Sequence, residues 1–249
     1  MCNKYCINFG KTHIKEEDVK SKLVIEIGSC DVNGSLRSVA QVYGPSSYTG
    51  VDIEFGPGVD QICSAEELIS KFGYNSFDLI ICTELLEHVK NWQNAIHNIK
   101  QILKPGGVLL LTTRSKGFRY HGYPFDFWRY EKSDMEFIFS DCDIEVLESD
   151  PSSPGVFLKA RKPLNFVENT TENYMLYSIV EGKRSPTTVH GFYLWFVVLP
   201  MSKIDQGISR LVKIIYLILH PSDILKLMKV IHTKFLANNS RKKDKHYSF

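Results

Sequence analysis

Three short apolar runs constrain this chain more than anything else in it: Leu23–Ile27 (LVIEI), Phe77–Cys82 (FDLIIC) and Val108–Thr113 (VLLLTT). Continuous apolar runs of this length, without polar alternation, read as strands buried on both faces, and such strands belong to parallel sheets. A further strand, Tyr48–Ile53, follows the turn residues Gly44, Pro45, Ser46 and Ser47. Helical patterns separate the runs. One starts near Asn33 and passes through Leu36, Val39 and Ala40. Another follows a short piece at Gln61–Cys63 and starts at Ser64, where Ser64 and Glu67 have capping-box spacing. The clearest places Trp92, Ala95, Ile96, Ile99, Ile102 and Leu103 on one face and is stopped by Lys104-Pro105-Gly106-Gly107. An aromatic loop over 114–130, a helix over Glu131–Phe139 and strands at Ile144–Leu147 and Val156–Ala160 complete the pattern. The alternation predicts a doubly wound, mostly parallel α/β sheet with helices on both faces.

Ligands of such sheets bind beyond the carboxyl ends of the strands, so the residues just after each strand carry the chemistry. Gly28 closes the first strand. A dinucleotide fingerprint would need glycines at three positions that here read Gly28, Cys30 and Asn33, which argues against a nicotinamide or flavin site. Asp52 closes the second strand, where a carboxylate can accept from both hydroxyls of a ribose. Thr83-Glu84-Leu85-Leu86-Glu87-His88-Val89 follows the next buried strand, and Leu103-Lys104-Pro105-Gly106-Gly107 precedes the last of the three runs.

In that order, VIEIGSCDVNGS, YTGVDIE, FDLIICTELLEHV and LKPGGVLLLTT resemble the signatures of class I S-adenosylmethionine-dependent methyltransferases, specifically their type 11-like group, over roughly residues 22–162. The resemblance implies a seven-stranded Rossmann-like sheet and S-adenosylmethionine as cofactor. It implies that Glu26, Gly28 and Ser29 form the loop under the methionine part, that Asp52 holds the ribose and that Ile53 packs on the adenine. Ser64 and Ala65 would adjoin the adenine edge, Thr83 and Glu84 would line the floor near the methionine, and His88 would stand on the rim. Two positions depart from the family pattern. Cys30 replaces a second glycine, where a left-handed backbone would cost roughly 1–2 kcal/mol. Ser64 stands where the family has an acid. Both favour the rival reading of a non-catalytic cofactor-binding module with a degenerate pocket.

The loop over 114–130 resembles an H-x-x-P-x-D-[YF]-W-R-[YF] stretch of some of these enzymes. It makes Tyr120, Tyr123, Trp128 and Arg129 candidate substrate contacts, the alternative being that Trp128 packs inside and that His121, Asp126 and Arg129 only tie the loop down. His121 is the candidate general base, because an unperturbed imidazole titrates near neutrality. Asp126 either orients His121 or pairs with Arg129. With 18 basic against 22 acidic side chains, residues 1–165 have no basic footprint for DNA. The expected acceptor is a small molecule, a glycan or a lipid-linked group.

The chain has 249 residues, 43% of them hydrophobic, enough for a core without staples. Its six cysteines form no C-x-x-C pair and no Cys/His zinc spacing, so neither a metal nor disulfides are expected, and a reducing cytoplasm suits it. The expected organisation is a polar arm over 1–20, the methyltransferase domain over 21–165, a helical appendage over 166–237 and a basic disordered tail over 238–249. Residues 166–249 carry twelve basic against six acidic side chains. Their amphipathic stripes leave two readings open: a cap on the domain or on a second subunit, and a peripheral contact with an anionic membrane.

Overall fold

The computed structural model describes residues 3–121 and 125–188. In chain order these form α1 (Lys4–His13), α2 (Glu16–Val19), β1 (Leu23–Ile27), α3 (Arg37–Gln41), β2 (Ser47–Asp52), β3 (Gln61–Ile62), α4 (Leu68–Phe72) and β4 (Phe77–Thr83). A short helical turn (Leu86–His88), α5 (Trp92–Ile102), β5 (Leu103–Arg114), β6 (Trp128–Arg129), α6 (Lys132–Ile138), β7 (Asp143–Ser149), β8 (Gly155–Arg161), β9 (Leu176–Ser178) and β10 (Lys183–Ser185) follow.

Seven strands make one sheet in the order β3-β2-β1-β4-β5-β8-β7. The pairs from β3 through β5 are parallel, and β8 runs antiparallel to both β5 and β7. The expected doubly wound, mostly parallel architecture is therefore present. From β1 the chain moves outward to β2 and β3, then crosses back to β4 on the other side. That reversal opens a crevice at the carboxyl ends of β1 and β4.

The polar arm expected at 1–20 is instead part of the domain. Cys6, Phe9, Ile14 and Val19 are buried in one cluster with Val24, Leu36, Leu79, Val108 and Phe157. Asn3 caps α1 by accepting from the Tyr5 and Cys6 amides. Gly10 lies so close to Leu36 that a Cβ there would sit 2.3 Å from its Cδ2, so α1 and the start of α3 meet without an intervening side chain. Polar residues on the outer face of α1 masked the short apolar stripe beneath.

Other boundaries shift for local reasons. Helix α4 begins at Leu68, not Ser64, because the Ser64 hydroxyl accepts from the Glu66 amide and closes a separate turn. Lys104-Pro105-Gly106-Gly107 ends α5 but forms no loop. Gly106 takes φ +79° and donates to the Lys162 carbonyl, and the chain passes directly into β5. Residues 166–188 are not helical. They supply β9 and β10, which form a second, three-stranded antiparallel sheet with β6 from the aromatic loop. The amphipathic stripes beyond 200 and the tail over 238–249 lie outside the described residues. Among the described residues, no helix is long and apolar enough to cross a membrane.

Candidate active site

The site has two ends along the crevice. At the first, Gly28 turns the chain out of β1 with φ +75°, a conformation that favours glycine. The amides of Gly28 and Ser29 donate to the Val51 carbonyl, and the Cys30 amide donates to Asp52 Oδ2 at 3.1 Å. The Ile53 amide donates to Asp52 Oδ1 at 2.7 Å, and the Cys63 amide to the Asp52 carbonyl at 2.8 Å. The glycine turn, the half-buried carboxylate of Asp52 and the start of the 63–65 segment therefore adjoin one another. Ile53 is 53% exposed, an apolar side chain left open beside a strand-end acid.

Cys30 is not strained. Its backbone lies outside the left-handed region, and the neighbour that accommodates its sulfur is Gly56, where a Cβ would come within 2.5 Å of Sγ. The bulk added at 30 is matched by an absence at 56.

The methionine end departs from expectation. Glu26 does not line the loop. Its buried carboxylate accepts from the Ser35 hydroxyl (2.7 and 3.0 Å), the Tyr48 hydroxyl (2.8 Å) and the Leu36 amide (3.4 Å), so it ties β1 to β2 and to the start of α3. Burial raises its pKa against the pull of those donors. Ser29 is likewise buried, its hydroxyl near Gly50 and without a hydrogen-bond partner. Ala65 is 5% exposed and Ser64 half-buried, which leaves little of either side chain open.

The second end lies after β4 and β5. Thr83 is buried at the tip of β4. Glu84 follows in the left-handed region, φ +54°, and is no open floor: its carboxylate is in ion-pair contact with Arg114 and accepts from Thr112 Oγ1 at 3.0 Å. Burial and then the neighbouring Glu87 push Glu84 upward, while Arg114 opposes them. Arg114 also holds Asp150 at 3.0 Å and lies over the Phe118 ring.

Glu87, which the motif reading passed over, is the centre of this end. It is fully buried. Its Oε2 accepts from Thr113 Oγ1 at 2.8 Å, while Oε1 has no hydrogen-bond partner and lies 3.5 Å from His121 Nε2 and 3.9 Å from His88 Nε2. His88 joins this cluster, not the cofactor rim, its Nδ1 lying 2.6 Å from the Phe125 carbonyl. His121 Nδ1 lies 2.9 Å from Asp126 Oδ2, and Asp126 is held by both terminal nitrogens of Arg129, at 2.5 and 2.7 Å. The two roles weighed for Asp126 therefore coexist.

This geometry revises the expected base. Burial lowers the pKa of His121, but the adjoining carboxylates of Asp126 and Glu87 outweigh it and raise the value to about 9. At neutral pH His121 is an imidazolium between two carboxylates. Burial would raise Glu87 and Asp126. The histidines at Glu87, and Arg129 with His121 at Asp126, hold both low instead.

Two substrate candidates are corrected outright. Trp128 is fully buried, with Nε1 donating to the Lys90 carbonyl, and Arg129 is 1% exposed, its remaining donors on the carbonyls of Phe118, Arg119 and Trp128. Both anchor the loop, and β6 pins it to β9. Tyr120 is half-buried, and burial raises its hydroxyl to about 12. Tyr123 lies outside the described residues.

A family model described as "Methyltransferase domain" matches residues 11–142. The ubiquinone biosynthesis O-methyltransferase of Coxiella burnetii is 30% identical over 118 residues, which cover 42% of this chain and 49% of that protein. The chain thus spans about half the length of the curated relatives it matches. Among solved structures, a Haloferax volcanii methyltransferase in complex with the Trm112 activator aligns at TM-score 0.51 and 13% identity, covering 64% of this chain and 89% of that one. The [4+2]-cyclase SpnF aligns at TM-score 0.50 and 17% identity, covering 64% and 81%. At these identities the structural likeness concerns the fold.

Proposed function

Because the chain belongs to the methyltransferase domain family, we propose that its crevice binds S-adenosylmethionine and transfers the methyl group to a small-molecule acceptor, with a hydroxyl oxygen as the favoured atom. The observation that carries this reading is the 3.1 Å contact between the Cys30 amide and the Asp52 carboxylate, which joins the glycine turn to the ribose acid. The residues fit the adenosine half. Each Asp52 oxygen accepts one backbone amide and keeps a lone pair for a ribose hydroxyl. Ile53 offers an apolar face to the base. With Glu26, Ser29 and Glu84 engaged or buried elsewhere, the methionine half is left mainly to backbone groups.

When bound, S-adenosylmethionine supplies a methyl group already activated as a sulfonium, so positioning provides most of the acceleration. In this reading the β4 and β5 ends orient the acceptor. His121, held between Asp126 and Glu87, supplies positive charge at this end and is not a free base for the acceptor's proton.

Calorimetry with S-adenosylmethionine, followed by mass spectrometry of metabolite extracts exposed to labelled cofactor, tests the proposal. Saturable one-to-one binding with a labelled product supports it. Binding without turnover of any acceptor favours the non-catalytic module, and no binding at millimolar cofactor removes both readings.

A further inference from the structure

We propose that Glu87, His88 and His121 form a binding site for one divalent transition-metal ion of the zinc type. One donor atom from each lies within 4.8 Å of the other two. The relevant atoms are Glu87 Oε1 and the Nε2 atoms of the two histidines, with Oε1 at 3.5 and 3.9 Å from them. Around a tetrahedral ion bonded at about 2.1 Å, donor atoms stand about 3.4 Å apart. The two contacts to Oε1 are close to that spacing, and the widest separation has to close by up to about 1.4 Å.

The groups behind the donors favour coordination. A histidine that ligates a metal through one nitrogen has the other engaged by a carbonyl or a carboxylate, which sets its tautomer and its aim. Nδ1 of His88 faces the Phe125 carbonyl and Nδ1 of His121 faces Asp126, so each ring turns Nε2 toward the same space. Asp126 is in turn held by Arg129. Thr113 occupies the far oxygen of Glu87 and leaves the near one, fully buried, without a hydrogen-bond partner. Without a metal the charged His121 ring takes that place, and a metal ion would take it over by displacing the proton on Nε2.

The donor set also selects the ion. Two imidazoles and one carboxylate suit zinc, iron(II) and their neighbours better than magnesium or calcium, which prefer all-oxygen sites. Glu84, which could have added a second carboxylate, is taken by Arg114. Sequence spacing concealed the set because His121 lies 33 residues beyond His88, far outside any zinc-motif interval. Three protein ligands leave a position open, and a hydroxyl bound there would lose its proton more readily. That consequence rests on the methyl-transfer reading; the binding itself does not.

The test therefore reads binding apart from turnover. Metal-free, 15N-labelled full-length chain at pH 7.5 is titrated with ZnCl2 and followed by long-range 1H–15N spectra of its eight histidines. Two histidines should acquire coordinated Nε2 and protonated Nδ1 signals, saturating at one equivalent, and equilibrium dialysis should return one zinc per chain. Glu87→Gln should weaken binding at least tenfold, and the double variant H88Q/H121Q should hold less than a tenth of an equivalent. The wild-type spectra decide the matter even if the variants do not fold. No histidine shift at one equivalent, or full retention of zinc by the folded double variant, overturns the proposal. Binding of S-adenosylmethionine to the metal-free chain is measured alongside, so that failure of one reading is not mistaken for failure of the other.

Discussion

The adenosine end and the acceptor end of the crevice are built by opposite means. At β1 and β2 the chain uses backbone: a left-handed glycine, five amides donated to Val51 and Asp52, and a carboxylate still open at the surface. At β4 and β5 it uses charge: Glu84, Glu87, Arg114, Asp126 and Arg129 are all buried and interlocked. The first design costs the fold little and leaves binding capacity facing outward. The second is rigid and shape-specific, and each member depends on its partners, since removing one leaves another charge buried and unpaired. Substitutions at the acceptor end should therefore register in stability, and those at the adenosine end in ligand affinity.

The largest expected effect is at Arg114. Arg114→Met leaves the buried Glu84 without its cation and takes one of several donors from Asp150, and should cost about 3–5 kcal/mol, a fall in melting temperature on the order of 10 °C, read by scanning calorimetry. A loss under about 1 °C would mean that the acceptor end does not depend on its charges. Gly28→Ala sharpens the other side. The new Cβ meets φ +75° and Leu85 atoms at 3.1–3.4 Å, and the left-handed backbone alone costs ~1–2 kcal/mol, so stability and cofactor affinity should fall together. Asp52→Ala should separate them. Cofactor affinity should drop by ~1–3 kcal/mol, the scale of a charge-assisted hydrogen bond, with the melting temperature unchanged. Unaltered calorimetric affinity would place the ribose elsewhere.

The smallest effect is one of pH. The pKa of His121 is raised in the fold, from 6.5 to about 9. Its contribution to stability is complete below pH 6.5 and is lost as pH rises through about 9. Melting temperature should decline across that window, and His121→Gln should flatten the decline. A wild-type profile flat from pH 6.5 to 9 would show that the imidazolium is not held as described.

The adenosine end was legible in the sequence because its determinants are local. A glycine after one apolar run and an aspartate after another need only the parallel pairing of β1 and β2 to come together. The sheet itself followed from the same runs. The acceptor end was legible only as a composition of aromatic and polar residues. Its pairings join Glu84 to Arg114 and Glu87 to His121 across long separations, and the periodicity that located the strands says nothing about which charge meets which. Glu87 was missed for that reason, although its place in the helical turn facing the start of the aromatic loop was a usable signal. Trp128 and Arg129 could be read either as substrate contacts or as anchors of the loop, and the sequence has no sign of the pairing of β6 with β9 that buries both and makes them anchors. The hairpin of β9 and β10 escaped notice because strands of three residues leave no alternation to count.

Addition of S-adenosylhomocysteine to the 15N-labelled chain tests the central claim most directly. The claim predicts one-to-one binding in which the amides of Cys30 and Ile53, which share the Asp52 carboxylate, shift together at the lowest ligand ratios. Saturable binding that moves other amides and leaves those two unmoved would contradict it.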